Sequence, residues 1–305
     1  MPSSSPVALP FAFAPYGAVA PPEAISCDGL VDGAGMHASH WGGNRTPAHL
    51  KADTSVEIAL RLAAEGVPSG ALVTNNHFDA DGVLAVFALL DPELAARHAG
   101  LVTAAAEAGD FDEWPADERG LRLEMAIRAL AAGARGERDA YARVLPELGA
   151  LLADVDARRD LWGAEWEALL EAERRAEAGA LEAAQEGRVA VFVHRRGVDE
   201  LPGPVLSRRQ PAGASRWLLA FEEEDGFRYH YERPRWAWAD TVKRPRLPAP
   251  SRNAIAQDLG EGWMIKGELG MTGLLRTMQP VRLTPAEVLA VLLKRDPGAR
   301  AAAAE

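Results

Sequence analysis

Apolar positions along this chain change period several times, and each change marks an element. Val56, Ile58, Ala59, Leu62 and Ala63 recur at helical spacing; Thr54-x-x-Glu57 precedes them as a capping box and Gly66 follows as a stop, so a helix is expected there. Ala71-Leu72-Val73-Thr74 is a short apolar run of the kind a buried strand carries. A polar loop, Asn75 to Gly82, leads from it to Val83–Leu90, which has no charge and reads as a buried helix. Asp91-Pro92-Glu93 opens the next helix, with proline at the favoured first position. Before all of these, residues 25–50 are strand-and-loop material punctuated by Gly29, Gly33, Gly35, Gly42 and Gly43.

Beyond residue 115 the pattern changes. From Ala116 to Glu186 the chain is rich in Ala, Leu, Glu and Arg, with a break at Pro146; Trp162 to Glu186, with seven Glu and two Arg, suits a long exposed helix. At Arg188 β-branched and aromatic residues take over. Val189–Val193, Trp217–Phe221 and Phe227–Tyr231 read as strands, the last two joined by a turn over Glu222–Gly226. Thr284-Pro285-Ala286-Glu287 caps a final helix. The expected class is α/β: a flexible arm (1–24), a strand–loop–helix part (25–115), a helical segment (116–187), a smaller α+β domain (188–296) and a tail (297–305).

Composition narrows the function classes. With 48% apolar residues and eight Trp in 305, the chain is not disordered, and its length suffices for a core without disulfides or structural metal. The single cysteine, Cys27, excludes an internal disulfide framework and points to a reducing, cytoplasmic setting. It is expected to be buried rather than reactive. Pro2, Pro6, Pro10 and Pro15 interrupt the start, so no signal peptide is expected, and no apolar run is long enough to span a membrane. The net charge of −11 disfavours long nucleic acids as partners. That charge is uneven: residues 188–252 hold thirteen Arg/Lys against eight Asp/Glu, while the remainder holds 20 against 36. A small anion facing the basic segment is therefore compatible with an acidic average.

The candidate chemistry lies in Asn75-Asn76-His77-Phe78-Asp79-Ala80-Asp81-Gly82. His77, Asp79 and Asp81 alternate just past a strand, where an extended backbone sends all three side chains to one side. An imidazole with two carboxylates suits Mn²⁺, Mg²⁺ or Zn²⁺. The loop resembles the first motif of the DHH (Asp-His-His) phosphoesterases, the superfamily of RecJ-like exonucleases, oligoribonucleases, cyclic-dinucleotide phosphodiesterases and inorganic pyrophosphatases. Met36-His37-Ala38-Ser39-His40-Trp41-Gly42-Gly43-Asn44, followed by Asp53-Thr54-Ser55-Val56-Glu57, is similar to the family's third motif. Ser39-His40-Trp41 stands where the family has Asp-His-His, the third motif precedes the first, and the Gly-Gly-Gly-His signature of the second domain is absent.

The resemblance implies a metal-dependent phosphoester or phosphoanhydride hydrolase acting on a small phosphorylated substrate such as a nucleotide, a short oligonucleotide or polyphosphate. It implies two divalent ions, manganese or magnesium. His77 and Asp79 would hold one and Asp81 the other, with His40 contributing and Asp110 of Ala108-Gly109-Asp110-Phe111 bridging the pair. Asp79, Asp81 and His40 are then the catalytic candidates. Asn44 and, on the basic segment, Arg233 and Arg235 are candidates for substrate phosphate. Two alternatives stand beside this one: a non-catalytic metal- or ligand-binding regulator on the same fold, and a phosphatase of haloacid-dehalogenase type with Asp79 as nucleophile, suggested by Phe78-Asp79-Ala80-Asp81-Gly82. Tyr229, Tyr231, Trp236 and Trp238 alternate at strand spacing and fit a sheet face better than a base-stacking platform. The partners expected are a small phosphorylated ligand and, as one option, a second copy of the chain, with no membrane.

Overall fold

Strands buried on both faces belong to parallel sheets covered by helices, and the first half of the chain is built so. In the computed structural model, which describes residues 9–68, 70–265 and 269–300, the chain divides into two units. The first comprises Met1–Trp166 and Ala239–Pro245; the second comprises Glu167–Trp238 and Arg246–Glu305. Residues 1–8 of the expected arm, Lys266-Gly267-Glu268 and residues 301–305 of the tail lie outside the described residues.

The first unit contains strands β1 (Phe11–Phe13), β2 (Ala24–Cys27) and β3 (Met36–Ala38), helix α1 (Ser55–Glu65), strand β4 (Leu72–Asn75) and helices α2 (Ala80–Leu90), α3 (Pro92–Arg97), α4 (Ala99–Phe111), α5 (Arg119–Ala131), α6 (Glu137–Val144) and α7 (Leu148–Ala153). The strands form one wholly parallel sheet in the order β1-β4-β2-β3. All four residues of β2 are buried. Thr54 and Glu57 form the expected capping box of α1, and Asp91 with Pro92 opens α3. Helix α2 starts at Ala80 rather than Val83, because Asp79 caps it; residues 80–89 are all buried, the uncharged Val83–Leu89 among them and Asp81 in the first turn.

Helix α8 (Arg159–Arg175) carries the chain across the boundary. The second unit then has strands β5 (Leu181–Glu186) and β6 (Val189–His194), helix α9 (Gly203–Arg209), strands β7 (Arg216–Glu223) and β8 (Gly226–Glu232), helix α10 (Arg252–Leu259), strands β9 (Trp263–Met264) and β10 (Gly273–Thr277), and helix α11 (Pro285–Arg295). Its mixed sheet runs β5-β6-β7-β8-β10-β9, and β6 with β7 is the parallel pair. Glu224 and Asp225 form the turn of the β7–β8 hairpin, closed by Glu223 opposite Gly226. Leu218, Tyr229 and Tyr231 from the sheet share a core with Ile255 of α10 and Val288 and Leu292 of α11. Beside it Arg216 and Asp296, both fully buried, pair through Nε at 2.6 Å, and the Tyr231 hydroxyl donates to Asp296 at 2.7 Å. The chain is thus α/β, with a parallel sheet and a mixed sheet among many helices.

Three local expectations are corrected. Phe11–Phe13, placed in a flexible arm, is the edge strand β1; Pro10 and Pro15 flank it, and an edge strand tolerates proline neighbours. Of the long helix expected over Trp162–Glu186, the α-helical part ends at Arg175 and a π turn, Ala176–Ala180, closes it. Gly179 adopts φ +95°, a conformation that suits glycine, and Leu181–Glu186 pairs with β6, so tertiary pairing overrides the helical preference of Ala and Glu. Trp236 and Trp238 lie in a single 3₁₀ turn after Pro234, not in a strand with Tyr229 and Tyr231. Among the described residues no helix is long and apolar enough to cross a membrane.

Candidate metal centre

Strands β4, β2 and β3 are neighbours and parallel, so their carboxyl ends open on one edge of the sheet, where α/β proteins place ligands. Asp28 follows β2, His40 lies two residues past β3, and the His77–Asp81 stretch follows β4. Asp110 comes from the last turn of α4. These residues form two sets of possible ligands. Asp28, His40, Asp81 and Asp110 each offer an atom within 4.8 Å of the others, and so do Asp28, His77 and Asp79. Asp28 belongs to both.

The first set is held rigidly. Nδ1 of His40 lies 2.6 Å from the Asp53 carbonyl oxygen, which can only accept, so Nδ1 carries the proton and Nε2 faces the acids. Nε2 lies 3.2 Å from Asp110, 3.5 Å from Asp28 and 3.6 Å from Asp81. The Asp81 carboxylate accepts the Ser55 and Val56 amides at 2.6 and 2.7 Å, which sets it on the positive end of α1. Oδ1 of Asp28 accepts from the Trp41 indole at 2.9 Å and the Ser55 hydroxyl at 2.8 Å. Asp28 adopts φ +56°, a left-handed conformation that costs a non-glycine residue about 1 kcal/mol and marks a functional constraint when the fold enforces it.

The second set is more open, with His77 and Asp79 each about one-third exposed. Nε2 of His77 meets Asp79 Oδ2 at 2.9 Å, while Asp79 Oδ1 accepts the Gly82 amide at 2.7 Å as the cap of α2. Asn75 shapes the loop: its Oδ1 accepts the amides of Gly29, Asn76 and His77, and its Nδ2 donates to the Tyr141 hydroxyl at 2.7 Å. Tyr141, on α6, donates in turn to the His77 carbonyl at 2.9 Å. A Cβ on Gly82 would meet Asn75 Nδ2 at 2.9 Å, so glycine is needed for this approach.

Electrostatics single out the first set. Burial, then the charges of Asp79 and Asp81, push Asp110 up to about 8. Burial likewise raises Asp28 and Asp81. Burial works against a charge on His40, but Asp110, Asp81 and Asp28 outweigh it and hold the imidazole up at about 10. The Asp79 hydrogen bond leads the shift of His77 up to about 9. Three acids, Asp28 and Asp81 buried and Asp110 nearly so, therefore share one imidazole, and among the described residues Asp28 Oδ2 has no hydrogen-bond partner. This donor set fits a divalent cation, whose charge replaces the protons such a cluster must otherwise retain.

The candidates from sequence fall out as follows. His40, Asp81 and Asp110 come together, and His77 and Asp79 form the neighbouring set. The extended backbone ends at Ala80, where α2 begins, so Asp81 is turned to a different set from its loop companions. The shared carboxylate is Asp28, not Asp110, which belongs to the first set only. Asp28 was hidden in the short run Ala24-Ile25-Ser26-Cys27-Asp28-Gly29; an acid ending a buried strand and followed by glycine was the available signal. Asn44 holds its own loop through Trp41 O and the Thr46 amide. Arg233 and Arg235 lie in the second unit, where protein acceptors engage them: Arg233 donates to Met271 O at 2.7 Å, and Arg235 pairs with Glu232 at 3.0 Å.

No curated protein matches the sequence. Among solved structures the chain is similar to the pGpG-specific phosphodiesterase PggH from Vibrio cholerae, with a TM-score of 0.39 and 7% identity over 70% of this chain and 68% of that one. A likeness of that degree is too loose to carry a shared function. A family model matches residues 9–290, and on that match the chain belongs to the family of unknown function DUF6687.

Proposed function

We propose that this chain binds a pair of divalent cations, manganese or magnesium, and hydrolyses a phosphoester or phosphoanhydride bond in a small phosphorylated substrate, as the DHH phosphoesterases that its loop resembles do. The observation that carries this reading is Asp28, one carboxylate common to two ligand sets, because neighbouring cations are the arrangement that phosphoryl hydrolysis exploits. Asp28, His40, Asp81 and Asp110 would hold an inner ion, and Asp28, His77 and Asp79 an outer one. When bound, such a pair lowers the pKa of water and neutralises charge on phosphoryl oxygens.

The chain's own residues do the rest. Asp53 keeps Nε2 of His40 turned inward, the first amides of α1 keep Asp81 in place, and Asn75 with Tyr141 fixes the loop of the outer set. His77 and Asp79 are the exposed members, so substrate approaches from their side. The acidity of the chain outside residues 188–252 favours a small anion over a long nucleic acid.

A second reading, a regulator that holds metal without turnover, is favoured by Trp41. It stands where the DHH signature has a second histidine, and its indole donates to Asp28 instead. Asp79 as a covalent nucleophile has less support, since Oδ1 caps α2 and Oδ2 faces His77.

The test is metal analysis of the purified protein with hydrolysis of bis(p-nitrophenyl) phosphate in Mn²⁺, wild type against Asp28→Asn. Two ions per chain and hydrolysis, both lost in the variant, are the expected result. Two ions without hydrolysis of any phosphoester would transfer the case to the regulator. No bound metal in the wild type would overturn both readings.

A further inference from the structure

Asp53 is fully buried, and its carboxylate serves a segment nearly two hundred residues away. It accepts the backbone amides of Val242 and Lys243 at 2.7 and 2.8 Å and the Arg244 guanidinium at 2.6 Å. These three belong to Ala239–Pro245, the strap that the later part of the chain returns to the first unit. The same strap donates the Asp240 amide to the His40 carbonyl at 2.7 Å. His40 is thus held from two sides: its backbone by Asp240, and its ring through the Asp53 carbonyl, whose own side chain the strap secures.

Arg244 extends the hold to Asp110. Its guanidinium reaches Glu107 at 3.0 Å and also Glu113, and it lies over the Phe111 ring at 4.7 Å. Glu107 and Phe111 flank Asp110 on the last turns of α4. One arginine therefore ties the residue behind His40 to the helix that carries Asp110. Without it, Asp53 would keep its two amide donors alone, and Glu107 and Glu113 would lose the guanidinium that pairs with both.

We propose that the strap 239–245, acting through Arg244 and Asp53, positions His40 and Asp110 for the inner cation, so that cation binding and strap order are coupled. This rests on the two-cation reading above. Arg244 and Asp53 are positioning residues, because neither belongs to either ligand set. The outer set is held instead by Asn75, Tyr141 and the cap of α2, so the strap acts on one site of the two.

Calorimetric titration of the full chain with Mn²⁺ tests this in wild type, Arg244→Gln and Arg244→Lys, alongside hydrogen exchange of the Val242 and Lys243 amides in the wild type with and without Mn²⁺. Arg244→Gln is expected to weaken one site about tenfold and leave the other within about twofold, with lysine restoring part of the loss. By reciprocity, Mn²⁺ is expected to slow exchange at both strap amides in the wild type. Equal loss at both sites, or no loss at either, would overturn the proposal, as would unchanged strap exchange with two ions bound. If Arg244→Gln does not fold, the exchange measurement decides alone. A wild type that binds no Mn²⁺ fails the two-cation reading itself, whereas two bound ions with an unmoved strap fail only the coupling.

Discussion

Asp81 accepts the backbone amide of Ser55 at 2.6 Å, so a carboxylate at the start of α2 closes on the start of α1. The neighbouring Val56 amide reaches the other oxygen at 2.7 Å. Two helix amino ends thereby meet at the candidate metal centre, and the charge that would hold a cation also joins the helices.

Asp28→Asn should separate stability from binding. Asparagine keeps an acceptor for Trp41 and Ser55 and tolerates the left-handed backbone at φ +56° at least as well as aspartate. It removes one of three crowded buried acids, so the metal-free protein should gain about 1 kcal/mol in chemical denaturation. The stabilisation that Mn²⁺ adds to wild type should vanish. A destabilised variant that still responds to Mn²⁺ would contradict the assignment of Asp28 as the shared ligand.

Gly82→Ala should loosen the outer set. The added methyl would lie 2.9 Å from Asn75 Nδ2, 3.1 Å from Asp79 Oδ1 and 3.2 Å from the Tyr141 hydroxyl. Overpacking of this kind costs about 1–3 kcal/mol. Thermal unfolding should show the loss, and Mn²⁺ affinity should fall at one site of two. A variant as stable as wild type would show that the loop gives way more easily than this geometry implies.

Tyr141→Phe removes one hydroxyl that serves two partners, the Asn75 side-chain amide and the His77 carbonyl. Tyr141 is buried, so both lose their bond without gaining water, at about 1–3 kcal/mol. Urea unfolding measures this directly. A change below about 0.5 kcal/mol would mean that the loop finds other partners.

His194 gives the second unit a pH dependence. Burial, joined by the nearby charge of His230, holds its pKa down at about 4, below the ordinary 6.5. Between those values the unfolded chain binds the proton and the folded chain does not, so stability falls as pH drops through that window. The loss from this group should be about 2 kcal/mol between pH 7 and pH 5. His194→Gln keeps an acceptor for the Leu201 amide but does not titrate. The stability difference between wild type and variant should shift by that amount in favour of the variant at pH 5, and a difference constant with pH would refute the assignment.

Much of this protein was legible from short stretches of sequence. The capping boxes at Thr54/Glu57 and Thr284/Glu287, the uncharged helical stretch Val83–Leu90 and the β7–β8 hairpin are local features, and the structure has them all. His77, Asp79 and Asp81 stood out because their alternation is local too. Leu181–Glu186 is not legible for the opposite reason: its residues prefer helix, and its pairing with β6 makes it a strand.

By itself the sequence determined the capped helices, the β7–β8 hairpin, the two-part α/β character and the imidazole-and-carboxylate loop, because caps, periodicity and turn residues act within a few positions. Tertiary structure alone decided that β2, β3 and β4 lie side by side, which brings Asp28 to both ligand sets and makes it, not Asp110, the shared acid. It also decided that Arg244 reaches Asp53 across 191 residues. Such pairings depend on which distant strands and segments pack together, and no spacing within one stretch encodes them.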